Sequence, residues 1–497
     1  MKEQLTKLVE SNFGRKADKF CNSVWCIASY GLVCIISHTF DLPILGAFFL
    51  TVFLSAAFIF SKNSFALVPF LLMCSFVLSL KTKPNTGYFN DPLKITALCL
   101  LLVVLVASAL FHLIYYGKWK KMFKRAYLTV SIAILTGTLM IGGIGTSLFS
   151  WTGVGMSFAV GACMFLPYSL LINCGEYNGQ KTIEYFAYSL ITAAVVIFAA
   201  VMERYITLGV KTVLNNKGLL EFGHTISNSA AVIVLLAIPL TFYLVYKYKY
   251  GAAFLAAVAL ELLTVVLTFS RATILIAAGG TVVVAIALCF KKKNGRLAYW
   301  IVCGVAAVAV IAIAIVFRSW VGNQITRIFD SNGRSTIWAA GFKAWEKDPV
   351  FGVGLWYLPQ VQAPLHKYHS YHCSPLTFLY CAGIFGLAAY LYHRYKTVRM
   401  VFGAKLTAER VFVALTLLAY VLNSLLDIYM TEPLHLLYYS VMLALIEHDV
   451  RDVKAANAVI VDDEKPQVDG VKEKSQANNI ENNNDNKSEG EINELQS

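Results

Sequence analysis

Apolar segments of 16–22 residues recur along almost the whole chain. The hydrocarbon core of a bilayer is ~30 Å thick, and a helix of roughly 20 residues crosses it. Backbone groups inside that core must be satisfied within the protein, which favours helices. Twelve to fourteen spans are predicted, of which the second, third, thirteenth and fourteenth are short or weak. The candidate segments are 22–38, 43–60, 65–80, 95–115, 126–146, 152–173, 183–202, 227–246, 250–269, 272–290, 299–317, 373–392, 411–426 and 432–448.

The composition excludes most other classes of protein. Of the 497 residues 58% are hydrophobic and 14% are charged, and the mean hydropathy is +0.62. A soluble domain is about 45–50% apolar and about 25% charged, and single cores stop growing near ~250–300 residues. A soluble enzyme with one anchor is therefore excluded, as are disordered and fibrous proteins. The predicted fold class is an all-α, polytopic transmembrane helical bundle over residues 21–450.

The positive charge marks the orientation of the chain. The formal net charge is +13, and the basic residues concentrate in the connections at 118–125, 247–249, 291–296 and 394–410. Short cytoplasmic loops are rich in Lys and Arg, so residues 1–20 and the C-terminus are predicted to be cytoplasmic in a multi-pass protein of the cytoplasmic (inner) membrane. This scattered pattern explains the charge without a nucleic-acid partner.

The pattern of the eleven cysteines does not indicate a disulfide framework. Their number is odd and almost all lie inside apolar segments, which argues against a set of disulfides. No Cys or His spacing matches a zinc site. They are interpreted as small buried apolar residues.

Two connections on the predicted outer side are too long to be simple turns, at 203–226 and 318–372. Loops of this length are usually functional or disordered, and the tryptophans of the second loop argue against disorder. Its segment 334–347 is predicted to form an amphipathic helix at the outer membrane surface. The apolar face of that helix carries Ile337, Ala340, Gly341 and Ala344.

The C-terminal segment has a different composition. Residues 451–497 contain eleven acidic and six basic residues and almost no large apolar side chain. Such a segment cannot bury enough apolar surface to fold, so a disordered, acidic, cytoplasmic tail is predicted.

Two arginines are candidates for binding an anionic ligand. Arg271 stands at the outer start of a span, where a charged group either faces a cavity or ligand or snorkels to the headgroups. Arg334 stands at the start of the predicted amphipathic helix, and a helix N-terminus with a guanidinium is a favourable anion site. A surface arginine on a loop is the alternative for Arg334.

A glycine-containing turn and three histidines follow the amphipathic helix. In KDPVFGVGLW, Pro349 is expected to end the helix, while Gly352 and Gly354 permit positive φ or close backbone approach. His366, His369 and His372 precede the next span. One of them suffices for acid–base chemistry near neutral pH, and histidines at a polar–apolar boundary are the alternative interpretation.

These elements, in this order, resemble the O-antigen ligase and polysaccharide polymerase family of the bacterial envelope. Ser270 and Arg271 open a span, and the Asn-containing segment 224–240 resembles the start of an earlier one. The later motif positions are Gly333, Arg334, Trp338, Asp348, Pro349, Gly352, Gly354, His372, Gly383 and Gly386. The family commonly has His-Asn where this chain has His372-Cys373, and the glycine spacing favours His372 over His369.

The resemblance implies a membrane glycosyltransferase of the helical, metal-independent type, without a cofactor. Its partners would be a polyprenyl-diphosphate-linked (undecaprenyl diphosphate-type) glycan donor, a glycan or lipid acceptor and membrane lipids. It implies that Arg271 and Arg334 bind the donor diphosphate and that His372, or His369 as second candidate, is catalytic. Ligases transfer to lipid A core and polymerases to a growing chain, and the sequence leaves this choice open.

A transporter is the competing hypothesis, since a lipid-linked oligosaccharide flippase also has about fourteen spans. Flippases need charged residues distributed through a central cavity between two related halves. Here the spans between 22 and 200 contain very few ionisable residues, and no nucleotide-binding motif such as Walker A is present. The sequence therefore favours chemistry at the membrane surface.

Overall fold

The computed structural model describes residues 2–77, 91–146, 149–220, 227–291, 295–301, 303–304, 334–355 and 371–463. Over these residues the chain is all-α, as predicted, and its eighteen labelled α-helices follow in chain order. They are α1 Lys2–Val9, α2 Asn12–Cys21, α3 Val24–Thr39, α4 Pro43–Phe60, α5 Val68–Val77, α6 Pro92–Tyr115, α7 Trp119–Met122, α8 Thr129–Met140, α9 Trp151–Cys174, α10 Gly179–Leu208, α11 Val210–Asn215, α12 Ser227–Lys247, α13 Leu255–Leu267, α14 Arg271–Lys291, α15 Arg334–Trp345, α16 Ser374–Val401, α17 Ala408–Ser424 and α18 Pro433–Asp463.

The helices follow the predicted spans closely. Thirteen of the fourteen predicted segments coincide with a described helix, and most of the remaining one, 299–317, lies outside the described residues. Seven described helices are long and apolar enough to cross a membrane, and the bent pair α2–α3 would add an eighth. Several others, such as α8, are shorter apolar helices. The chain is a polytopic helical membrane protein, and the total of twelve to fourteen spans stays a prediction.

The centre of the bundle is α12, and α6 lies at its periphery. In an 18-residue window of α12, 94% of the residues are buried, whereas the corresponding share for α6 is 11%. Leu93, Leu100 and Val103 of α6 expose more than half of their surface. Large exposed apolar surfaces are rare on soluble monomers, so this surface is suited to contact with lipid.

The two ends of the bundle differ in chemistry. At one end Lys247 pairs with Glu184, and Arg410 Nε donates to Asp449 Oδ2 at 2.6 Å. We call this the basic end, and the positive-inside rule assigns it to the cytoplasm as a prediction. At the opposite end, here called the loop end, α14 and α16 begin and the turn 425–432 joins α17 to α18.

The C-terminal prediction needs correction for residues 451–463. The chain divides into two units, residues 1–449 and residues 450–497. The described part of the second unit is helical to Asp463, so the expected disorder was wrong for 451–463. Extending an existing helix needs no new nucleus, so local composition underestimates helix here. Residues 464–497 lie outside the described residues.

The predicted amphipathic helix exists as α15, and its apolar face packs against the protein itself. Ile337 is buried, and a Cβ on Gly341 would lie 2.3 Å from the ring of Tyr380 in α16. Trp338 Nε1 donates to the carbonyl of Tyr371 at 2.9 Å. This packing holds α15 beside the beginning of α16.

A loop enters a break in α16 and replaces the missing helical hydrogen bonds. The backbone of α16 is non-helical at Ala382 and Gly383. Val353 N–H donates to the carbonyl of Tyr380 at 2.8 Å, and Gly354 N–H donates to that of Cys381 at 2.9 Å. An unsatisfied backbone group at membrane depth costs several kcal/mol, so these bonds make the break tolerable.

Glycine is required on both sides of this junction. Gly352 has φ +67° and Gly354 has φ +85°, as the sequence predicts for this turn. Gly383 has φ +63° and ψ −157°, a region that only glycine occupies readily. A Cβ on Gly383 would lie 2.0 Å from the carbonyl oxygen of Val350. Gly352 and Gly354 of the loop and Gly383 of α16 are therefore all needed for the loop to pack into the break.

We predict that Gly383→Ala destabilises the protein by about 1–3 kcal/mol or more, because the residue must leave this φ/ψ region and the loop must shift. The matched control is Gly137→Ala in α8, where a Cβ meets nothing within 4 Å and alanine favours the helix by about 1 kcal/mol. Melting of both variants in detergent micelles measures the difference. Equal melting of Gly383→Ala and wild type would contradict the described junction.

Candidate active site

A histidine and a carboxylate meet at the loop end. His372 Nδ1 lies 3.0 Å from Asp427 Oδ1. The His372 side chain is 34% exposed, whereas that of Asp427 is 8% exposed. An ionised carboxylate can only accept hydrogen bonds. The ring proton of His372 is therefore on Nδ1, and Nδ1–H donates a hydrogen bond to Asp427. This tautomer leaves the lone pair of Nε2 available to a ligand.

Asp427 is held as a carboxylate. Burial by itself would raise the pKa of Asp427, but the hydrogen bond from His372 and the positive charge of its ring when protonated lower it, and the net effect is a pKa below the usual range. Ile428 N–H donates to Oδ1 at 3.0 Å, and the Tyr429 hydroxyl donates to Oδ2 at 3.2 Å. The Ser374 hydroxyl donates to the Asp427 carbonyl at 2.9 Å, which ties the turn to the beginning of α16.

Backbone strain occurs at His372 itself and two residues before Arg271. Among the described residues, three non-glycine residues have positive φ, and two of them are His372 at +45° and Phe269 at +54°. Phe269 lies two residues before Arg271. Such conformations cost of order 1–3 kcal/mol and often mark functional sites.

Arg334 lies within electrostatic range of two neighbours of this pair, Cys373 and Tyr429. It is the first residue of α15 and is partly buried. Burial raises the pKa of the Cys373 thiol, and the charge of Arg334 opposes that rise. The same charge opposes the rise that burial causes in the pKa of Tyr429. Arg334 therefore acts electrostatically on the residue that follows His372 and on the tyrosine that donates to Asp427.

Arg271 begins α14 at the same end of the bundle. The hydroxyls of Ser270 and Thr273 are 2.8 Å apart, and Asn423 Nδ2 donates to Thr273 Oγ1 at 2.9 Å. These contacts fix the first turn of α14 against the end of α17, four residues before Asp427. The structure thus connects Arg271 to the site through α17.

A second histidine–carboxylate pair adjoins the first. His435 Nδ1 lies 2.8 Å from Glu432 Oε2, and the rings of His435 and Tyr429 are 4.5 Å apart. The Ser229 hydroxyl donates to Glu432 Oε2 at 3.4 Å. The Asn-containing segment singled out in the sequence therefore reaches this edge of the site.

The structure brings only some of the residues predicted from the sequence near one another. It places Arg334 within electrostatic range of Cys373, the residue after His372, and Arg271 at the same end of the bundle, whereas His366 and His369 lie outside the described residues. In the part of the chain that the structure describes, no group of three His, Cys, Asp or Glu side chains could hold a metal ion.

The sequence reasoning missed Asp427. Its partner lies 55 residues away, and locally it resembles an ordinary turn between two weak spans. The available signal was a turn with two acidic residues, Asp427 and Glu432, on the same predicted side as Arg271, Arg334 and His372.

Comparison with known proteins gives one family match. A family model described as O-antigen ligase matches residues 256–391, a segment that contains Arg271, Arg334 and His372 and ends before Asp427. No curated protein matches the chain. The match supports the resemblance carried by the motifs: residues 256–391 of this polytopic membrane protein are similar to the O-antigen ligase family.

Proposed function

We propose that this protein transfers a glycan from a polyprenyl-diphosphate carrier to an acceptor hydroxyl at the outer face of the cytoplasmic membrane. The family supports a membrane glycan ligase or polymerase role. The observation that carries the finer proposal is the His372–Asp427 pair, and the charge of Arg334 acts on Cys373, the residue after His372.

The two arginines would act on the leaving group. When the bond between the anomeric carbon and the diphosphate breaks, the electron pair goes to the diphosphate oxygen. Fixed cations that stabilise this developing charge lower the barrier, and a guanidinium binds phosphate oxygens two at a time. Arg271 and Arg334 each begin a helix, and a helix N-terminus also favours an anion. Positive charge from the protein would thus serve without a metal.

His372 would act on the acceptor. As the acceptor oxygen attacks the anomeric carbon, its proton passes to Nε2 of His372, and the resulting imidazolium is stabilised by the Asp427 carboxylate. The proton then leaves to solvent or to the released diphosphate, which restores the neutral ring. The exposed edge of His372 and the shielded carboxylate suit these two roles.

The test is purified protein with a lipid-linked donor and an acceptor glycan. The proposal expects a new glycosidic bond, detected by mass spectrometry of the product. A flippase would instead move donor across proteoliposomes and form no such bond, and that result would contradict the proposal.

We predict that Arg271→Ala and Arg334→Ala each lower transfer by roughly 10²–10³-fold or more, because each removes a cation from the leaving group. Lys343→Ala is the matched control, since it removes an exposed cation from the same helix, α15, and is expected to keep activity. Product formation at equal amounts of inserted protein is the measurement. Wild-type output from both arginine variants would refute their roles.

We predict that His372→Ala lowers transfer by roughly 10²–10⁴-fold, the usual contribution of a general base, while His369→Ala retains most of it. Both variants are assayed with the same donor and acceptor. Full activity of His372→Ala combined with loss in His369→Ala would move the catalytic role to the second candidate.

We predict that Asp427→Asn lowers the maximal rate by roughly 10²-fold or more, because the amide no longer enforces the tautomer of His372 or stabilises its charged form. Loss of the carboxylate makes the imidazolium less stable, so the acidic limb of the pH–rate profile should move to lower pH. A reduced rate with an unchanged acidic limb would assign Asp427 a purely structural role.

A further inference from the structure

An apolar groove lies between α12, α14 and α17. Its volume is about 270 Å³, and its floor is formed by Leu235, Ile238 and Pro239 of the buried central helix. Its walls are formed by α14 and α17, with Leu275 and Leu418 half exposed. Among the described lining residues, Thr281 alone has a polar side chain. Such a surface suits an apolar chain and offers little to a sugar.

A pair of glycines opens the groove. Gly279 and Gly280 line it, both are exposed, and a Cβ built on either meets nothing within 4 Å. Larger residues are therefore compatible with the fold at these two positions. Glycine in a helix costs about 1 kcal/mol relative to alanine, and this cost occurs here at two positions that line the groove.

The groove begins one helical turn from the start of α14, at Leu275. Arg271, Leu275 and Gly279 are spaced by four residues and lie on one helical face. At 1.5 Å per residue, Gly279 lies roughly 12 Å along the axis from Arg271. On the other wall, Leu422 lines the groove and directly precedes Asn423, which bonds to Thr273. A molecule with an anionic head at Arg271 can thus extend an apolar tail into the groove.

We infer that this groove holds the first isoprene units of the donor's polyprenyl chain. The inference rests on the proposed function, which sets a diphosphate at Arg271. An isoprenoid chain is wider than a straight acyl chain because it carries methyl branches. The space left by the two adjacent glycines accommodates these branches. Binding of this remote part of the donor orients its anomeric carbon toward His372, and such binding energy contributes to catalysis through positioning.

The test fills the groove with larger side chains and leaves the proposed catalytic and diphosphate-binding residues unchanged. Gly279→Leu and Gly280→Leu should raise KM for a long-chain donor by at least roughly tenfold, because the displaced chain loses buried apolar surface. The matched control is Gly155→Leu in α9, an exposed helical glycine that also meets nothing within 4 Å and lies outside the groove. With a donor whose chain is too short to reach Gly279, the two groove variants and wild type should have equal KM. An unchanged KM for the long-chain donor would overturn the inference.

A binding experiment separates this inference from the proposed reaction. A polyprenyl phosphate that carries a benzophenone in its first isoprene units should label peptides of α14 or α17, and unlabelled polyprenyl phosphate should compete. Labelling elsewhere, or equal competition by phosphatidylglycerol, would overturn the inference, the latter by indicating an ordinary membrane lipid. If wild type labels as expected and forms no glycosidic bond, the proposed function fails while the groove assignment stands.

Discussion

A helix that breaks inside an apolar bundle must find new partners for its freed backbone groups, and the candidate site depends on how α16 meets this requirement. The carbonyls of Tyr380 and Cys381 accept from Val353 and Gly354 of the loop that follows α15, and Ile384 N–H donates to the carbonyl of Pro349 at 2.9 Å. Because unsatisfied groups are so costly in lipid, the loop and the helix are fixed together.

This constraint positions the chemistry several residues away. The loop holds the C-terminal end of α15, while Trp338 and Gly341 hold its face against α16. Arg334 at the first residue of α15 is thereby kept near Cys373 and Tyr429. At the beginning of α16, Ser374 and His372 bond to Asp427. The strained φ of His372 is maintained because its neighbours are held on several sides.

Much of the fold follows from local sequence, because crossing a bilayer is a property of each segment by itself. Hydropathy alone located α9, α10, α12 and α14, and the local apolar periodicity located α15. The helix over 451–463 was missed because its composition was judged apart from the helix that precedes it. The break in α16 was also invisible locally, since Gly383 tolerates its conformation only when the loop from Pro349 to Gly354 lies against it.

The candidate site was predictable only in part, for the same reason. Arg271, Arg334 and His372 stand out because each is polar at the edge of an apolar segment. Asp427 does not, because its role arises from a contact between distant parts of the chain. Glu432 and His435 likewise belong to the site through contacts with Ser229 and Tyr429. The sequence gives no sign of these contacts.

The most direct measurement of the central claim is a cryo-EM structure of the protein with a non-transferable analogue of a polyprenyl-diphosphate-linked sugar. The account predicts that the diphosphate lies between Arg271 and Arg334, with the anomeric carbon facing Nε2 of His372. Density for the diphosphate at the basic end, beside Lys247 and Lys291, would contradict it.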